Sequence, residues 1–276
     1  MYSGTTIRTK SGRIIGVHQK IDRIARRHLS RQIPTGFRFP SIREILHFEG
    51  LNGPDGIKRK SPSRDEPWHF IDPLDPTDTA LIVMIEDHIF NLSRALREEN
   101  IERASFEAAW LAHAIVDGLT PAHHYPFEEK LEELRGEGME TRSSIRDKVL
   151  LPGKSRRAQL RNNWEFWGAK GVMTTHVAFE LGVATAIAPL KFDDAMPTDA
   201  DYDAIRVKGF TAIYRQIMQS VATLDMYKEF SRKGWTQQMA KQARSILVPQ
   251  IIRAVTLAWY AALVDAQGGL SERTDH

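Results

Sequence analysis

A chain of 276 residues with 42% hydrophobic residues is long enough to bury a full core and too apolar to be disordered. It has no cysteine, which excludes disulfides and thiolate metal sites, so any metal must be held by His, Asp or Glu. The formal net charge is +3 with a pI near 9.1. Basic residues cluster at Lys58-Arg59-Lys60, at Arg64 and from Lys154 to Arg161. Such clusters attract phosphate-bearing partners or an anionic surface, although solvated loops carry the same residues.

In chain order, residues 1–15 are polar and basic and lack the apolar stretch of a signal peptide, so a cytoplasmic location is expected. From Ile14 an amphipathic helix is expected, with Val17, Ile21, Ile24, Ala25 and His28 on one face and His18 in its first turn. Ser41 is placed to cap a short helix reaching Phe48. Residues 50–68 read as a loop rich in Gly, Pro and charge, which contains Asp55 and leads into His69. Thr77 or Asp78 opens a helix whose apolar stripe is Ile82, Ile85, Ile89, Leu92 and Leu96.

Residues 100–116 form the central helix, which Gly118 and Pro121 bring to an end. A short charged helix follows over 127–134, and then a mobile basic insertion over about 136–161. Asn162 or Asn163 restarts a helix running through His176 and Glu180 to about Ile187. Further helices are expected over 202–225 and 235–265, the last kinked at Pro249. The apolar stretch 246–264 is interrupted by Pro249, Gln250 and Arg253, and reads as a buried helix with no transmembrane segment. No segment shows strand alternation. The expectation is an all-α fold, one multi-helix globular domain over 1–276.

The chemistry-bearing residues recur in pairs. His113 and Asp117 stand four apart and share a helix face, and the helix end lets His123 turn back toward them. His176 and Glu180 repeat the four-residue spacing, Asp55 and His69 form a looser pair, and His18 lies near the start. Imidazole and carboxylate together are ligands for zinc. The competing reading is that these residues make scattered salt bridges and caps. His28, His47 and His88 are read as ordinary core or surface histidines, and His124 as a neighbour of the site or a solvent-facing residue. Trp164, Trp167 and Tyr125 could stack bases, with core packing the favoured reading for the tryptophans.

The pattern His113-x-x-x-Asp117-x-x-x-Pro121-x-His123, followed by His176-x-x-x-Glu180 and preceded by Trp68-His69-Phe70-Ile71-Asp72-Pro73 and His18, resembles the zinc-dependent phospholipase C family. That family shares a superfamily with the fungal and plant single-strand-specific nucleases, and the resemblance spans about residues 14–182. It implies a first zinc held by Asp55, His69, His113 and Asp117, and a second by His123, His176 and Glu180. A third would be held by His18 and a bridging Asp117. In the family this third ion takes the amine and carbonyl of an N-terminal tryptophan; here Met1 is placed to offer the same two atoms. Asp65 rivals Asp55 in its loop. The stretch between His123 and His176 is longer than the family pattern.

The resemblance implies a zinc-dependent phosphodiester hydrolase with two or three ions, acting on a phospholipid head group. Glu180 as last ligand and the Asp55–His69 spacing point to the phospholipase branch. A single-strand-specific nuclease acting on nucleic acid is the alternative, and a non-catalytic helical protein braced by structural zinc is another. Asp55 and Glu180 are the candidate bases, although a carboxylate bound to metal is a poor one.

Overall fold

The computed structural model describes residues 1–4, 16–62 and 70–268. Among these residues the secondary structure is helical, with no strand. The expected all-α class is therefore observed.

The amphipathic pattern near the start gives α1 (Val17–Leu29), which buries Val17, Ile21, Ile24, Ala25 and Leu29. The short helix α2 (Ile42–His47) opens on a capping box, in which Ser41 Oγ accepts from the Glu44 amide and Glu44 accepts from the Ser41 amide. Residues 50–62 are not the loop that composition suggests. They hold a 3₁₀ turn and α3 (Pro54–Lys60), which starts with proline at its first position and carries Asp55 in its first turn. Proline is compatible with a helix start because the missing N–H has no partner there in any case.

Helices α4 (Ala80–Arg97) and α5 (Ile101–Gly118) form an antiparallel hairpin across Glu99, whose φ is 53°. Asn100 caps α5 by accepting from the Arg103 amide. The inner faces of α5 are lined by Ala104, Ala108, Ala109, Ala112 and Ala114, all buried, and these small side chains let neighbouring helices approach closely.

After a 3₁₀ turn at Pro121–His124 come α6 (Phe127–Arg135), α7 (Ile145–Val149) and α8 (Arg156–Trp167). The segment expected to be a mobile insertion thus has structure of its own. Buried Arg135 donates to the Asp147 carbonyl, Glu137 and Thr141, and Asn162 donates to the carbonyls of Leu134 and Pro152. The expected single helix from Asn162 to Ile187 is two, α8 and α9 (Val172–Ile187). Gly168 and Gly171 separate them, and a Cβ at Gly168 would lie 2.4 Å from the Trp164 carbonyl oxygen.

The helix expected over 202–225 is likewise divided, into α10 (Asp199–Lys208) and α11 (Phe210–Ala222), at Gly209 with φ 74°. The chain continues through α12 (Met226–Lys233), α13 (Gln237–Gln242) and α14 (Val248–Ala266). Between α13 and α14 lies one π-helical turn, Ala243–Leu247, immediately before Pro249. The helix expected over 235–265 thus continues past Pro249, and the π turn lies at the place where a kink was expected.

The core is organised on α14, which packs against α1, α4 and α5. Fully buried Trp259 donates from Nε1 to the Ala108 carbonyl (2.9 Å), fastening α14 to the backbone of α5. The span Gln237–Ala266 is long and apolar enough to cross a membrane, but most of it is buried inside the molecule, as expected of a core helix. A smaller apolar cluster of Phe127, Leu131, Leu134, Leu151 and Phe166 joins α6 to α8.

Gly118 closes α5 at a point of tight approach: a Cβ there would lie 2.1 Å from Tyr214 Oη and 2.5 Å from Leu81 Cδ2. Gly118→Ala is expected to lower stability by about 1–3 kcal/mol through overpacking, read as a lower urea midpoint with unchanged slope.

Candidate metal centre

Because α5 places His113 and Asp117 one turn apart, both reach the same buried space, which α1 enters with His18 and α9 with His176 and Glu180. The 3₁₀ turn at Pro121–His124 returns His123 to it. His113, Asp117, His123, His176, Glu180 and His18 are all buried. Two groups of ligand-type atoms result, His18–His113–Asp117 and His123–His176–Glu180, the atoms of each lying within 4.8 Å of one another.

Asp117 is the junction. Its Oδ1 is 2.6 Å from the Met1 amine and 3.3 Å from His18 Nε2, and its Oδ2 is 3.3 Å from His113 Nε2 and 3.8 Å from His123 Nδ1. Glu180 Oε1 lies 3.1 Å from His176 Nε2, 3.2 Å from His123 Nε2 and 3.3 Å from the Met1 amine. The Met1 carbonyl accepts from His18 Nε2 at 2.7 Å. The imidazoles of His18 and His113 stack, with centroids 4.2 Å apart. Asp55 Oδ1 is 3.8 Å from His113 Nε2, and its side chain is 30% exposed, which puts it at the edge of the centre.

Of the residues singled out by sequence, seven side chains and the Met1 amine and carbonyl meet here. His69 and its neighbour Asp65 lie outside the described residues. The spatial grouping sets His18 beside His113, whereas the resemblance divides them between two ions; a two-faced Asp117 is compatible with both. His124 turns away and donates to the Gly118 carbonyl (2.9 Å), and burial lowers its pKa to about 4. His88 meets Glu107, away from the centre.

The electrostatics are those of crowded acids and bases. Burial alone would raise the Asp117 carboxyl, but the Met1 ammonium, His123 and His113 hold it well below the usual range. For Glu180 burial is outweighed in the same way by the Met1 ammonium and His176. Burial disfavours charge on the Met1 amine, yet Asp117 and Glu180 raise its pKa to about 10. Burial opposes charge on His113 as well, and Glu49 and Asp117 raise it well above the imidazole range.

This donor set fits a metal ion. Ligand atoms around a tetrahedral zinc stand about 3.4 Å apart when each bond is about 2.1 Å. The separations of 3.1–3.3 Å linking His18, His113, His123 and His176 to the two carboxylates are close to that value. The Met1 amine lies against Asp117 and the Met1 carbonyl against His18.

Two residues escaped the sequence reading. Glu49 Oε1 accepts from His113 Nδ1 (3.2 Å), leaving Nε2 to face Asp117. A carboxylate behind a ligating imidazole fixes its tautomer and ring orientation. Nothing in local spacing marks Glu49, which stands 64 residues from His113. Asp22 is buried on α1, and burial together with the Glu49 carboxylate pushes its carboxyl well above the usual range. Its four-residue spacing from His18 was the available signal.

No family model matches the chain, and no curated protein matches it. Among solved structures it is similar to the crystal structure of Clostridium perfringens alpha-toxin from an avian strain, with 13% identity and a TM-score of 0.43. The similarity covers 96% of this chain, which spans 66% of that one. At this identity and score the likeness says nothing about the chemistry of the site.

Glu49→Gln is expected to weaken metal binding by about 10–100-fold with the helical content unchanged, measured by competition with a chromogenic chelator. Metal uptake near neutral pH should release protons, including one from the Met1 ammonium, because a ligating amine must be deprotonated. Acetylating the amine, or extending the chain before Met1, should lower both the proton count and the number of ions bound; calorimetry in buffers of different ionisation enthalpy reads the first, and elemental analysis the second.

Proposed function

We propose that the protein is a zinc-dependent phosphodiester hydrolase of the phospholipase C type. The observation that carries this reading is the junction at Asp117, whose two carboxylate oxygens address different imidazoles while a second His–His–Glu group lies alongside. The resemblance of the His113-to-His123 and His176-to-Glu180 motifs supports the same reading from sequence.

Zinc held by His18, His113, Asp117, His123, His176 and Glu180 would lower the pKa of water toward neutral and offset charge on phosphoryl oxygens, which is the chemistry phosphodiester cleavage needs. The chain's own residues do the rest. Asp117 fixes the separation of the donor sets on either side of it. Glu49 holds His113 in the ligating tautomer. His123, whose ring stacks on Phe70 with centroids 5.1 Å apart, and His176 are turned toward Glu180. Asp55 is the carboxylate nearest solvent, and α3 carries Lys58, Arg59 and Lys60 on its last turn, where positive charge favours approach of a phosphodiester. Asp55 is more open to solvent than Glu180, whose Oε1 faces both His123 and His176.

A single-strand nuclease is the second reading. It gains from Trp164 and Trp167, which core packing was expected to bury and which are 72% and 43% exposed. Exposed indoles are stacking platforms for bases. The reading of zinc as a purely structural brace predicts ions with no position open to water.

Metal analysis of the purified protein, followed by assays on a generic phosphodiester, a phosphatidylcholine analogue and single-stranded DNA, separates these readings. His113→Ala is expected to lower kcat/KM by about a hundredfold or more and to reduce bound metal. A stable, metal-loaded wild type without turnover on any of the three substrates would leave only the structural role.

A further inference from the structure

Helix α8 is built with its sides reversed. Its inward face is held by polar side chains: Asn162 donates to the carbonyls of Leu134 and Pro152, and Asn163 to those of Leu151 and Gln159. Of its large apolar residues only Phe166 is buried, while Leu160 and Trp164, one turn apart, are each 72% exposed. A helix stabilised by packing alone turns its leucines and tryptophans inward. Here Arg157 and Arg161, and Leu160 and Trp164, stand four residues apart and alternate along the exposed side. Trp167 extends the strip and donates from Nε1 to the Val149 carbonyl, which brings α7 and exposed Val149 alongside.

The charge of this region is equally uneven. Between residues 142 and 170 there are eight Lys and Arg against two acids, leaving 30 against 33 for the rest of the chain. The whole positive excess of the protein lies in the segment that bears the exposed indoles. One of the two acids, Glu165, is 3.9 Å from Arg161. This face is tied to the helix that carries His176 and Glu180: α8 packs on α9, and Thr174 Oγ1 donates to the Trp167 carbonyl two residues before His176.

We propose that the α7–α8 face is a docking surface for an anionic phospholipid bilayer. Trp164 and Leu160 would enter the headgroup boundary while Arg157 and Arg161 meet lipid phosphates. An aromatic side chain is suited to that boundary because its body is apolar and its edge polar. A shallow apolar contact holds weakly by itself, and clustered arginines supply the second attraction that stable surface binding requires. Single-stranded nucleic acid would use the same arginines and indoles, but aliphatic Leu160 and Val149 offer nothing for a base to stack on and are suited to acyl chains. The inference concerns binding alone and stands apart from the proposed hydrolysis.

The test is co-sedimentation of the whole protein with phosphatidylcholine vesicles, with and without phosphatidylglycerol, alongside a fluorescent single-stranded oligonucleotide. Binding is expected only with phosphatidylglycerol present, to weaken with salt, and to fall about tenfold or more in Arg157→Glu/Arg161→Glu. Leu160→Ser/Trp164→Ser should also lose binding, whereas Trp164→Phe should keep binding and lose most of the blue shift in tryptophan emission. These positions are exposed, so equal urea midpoints serve as the folding control. Absence of vesicle binding by the wild-type protein, or undiminished binding by both double variants, overturns the proposal. Oligonucleotide binding without vesicle binding overturns it in favour of a nucleic-acid surface. Hydrolysis of a small water-soluble phosphodiester should be unchanged in these variants, so failure of docking is distinguishable from failure of the catalytic reading.

Discussion

A carboxylate removed from water is costly unless positive or hydrogen-bonding groups surround it, and removing those partners leaves a larger penalty than the pair itself is worth. Asp117 is held under that constraint. The Met1 ammonium, His18, His113 and His123 approach it from the chain start, from α1, from its own helix and from the turn that follows. Each of these elements therefore contributes a partner that offsets the cost of burying the carboxylate. The apolar core supplies the stability, with α14 as the shared support of α1, α4 and α5, and it is this support that holds the polar centre in one arrangement.

The helical class was legible because the apolar periodicity of α1 and α4 is strong and no strand pattern competes with it. The two four-residue pairs were legible for the same geometric reason, since residues four apart on a helix share a face whatever the surrounding fold. Glu49 was not legible. Its partner His113 is brought to it only by the packing of α2 and its following turn against α5, and no local pattern records that approach. Trp164 and Trp167 were misread because burial is the ordinary fate of an aromatic residue on a helix, and only the tertiary structure shows that Asn162 and Asn163 had taken the inner side.

Boundaries were the weakest part of the sequence reading, and the failures have local causes. Gly168 and Gly209 end helices that periodicity alone would carry on; the first stands where a Cβ meets a carbonyl, and the second has a positive φ. At Pro249 the helix continues as the sequence reading expected, with a widened turn just before the proline. Between residues 136 and 161, a composition rich in Gly and charge hid a scaffold of backbone-directed hydrogen bonds from Arg135, Asn162 and Asn163. Long-range polar anchoring of that kind leaves no periodic trace.

The position of Trp259 bears on the order in which the molecule can mature during synthesis. Its indole reaches the backbone of a helix made about 150 residues earlier, and it sits on the element that closes the interior. A growing chain would carry every imidazole and acid of the centre well before it acquires the floor on which they rest. Until that floor arrives, α4 and α5 can pair as neighbours, while His18 and Glu180 have no fixed relation to each other. Emergence of α14, which follows all of these side chains in the chain, is then the event that gives the centre its support.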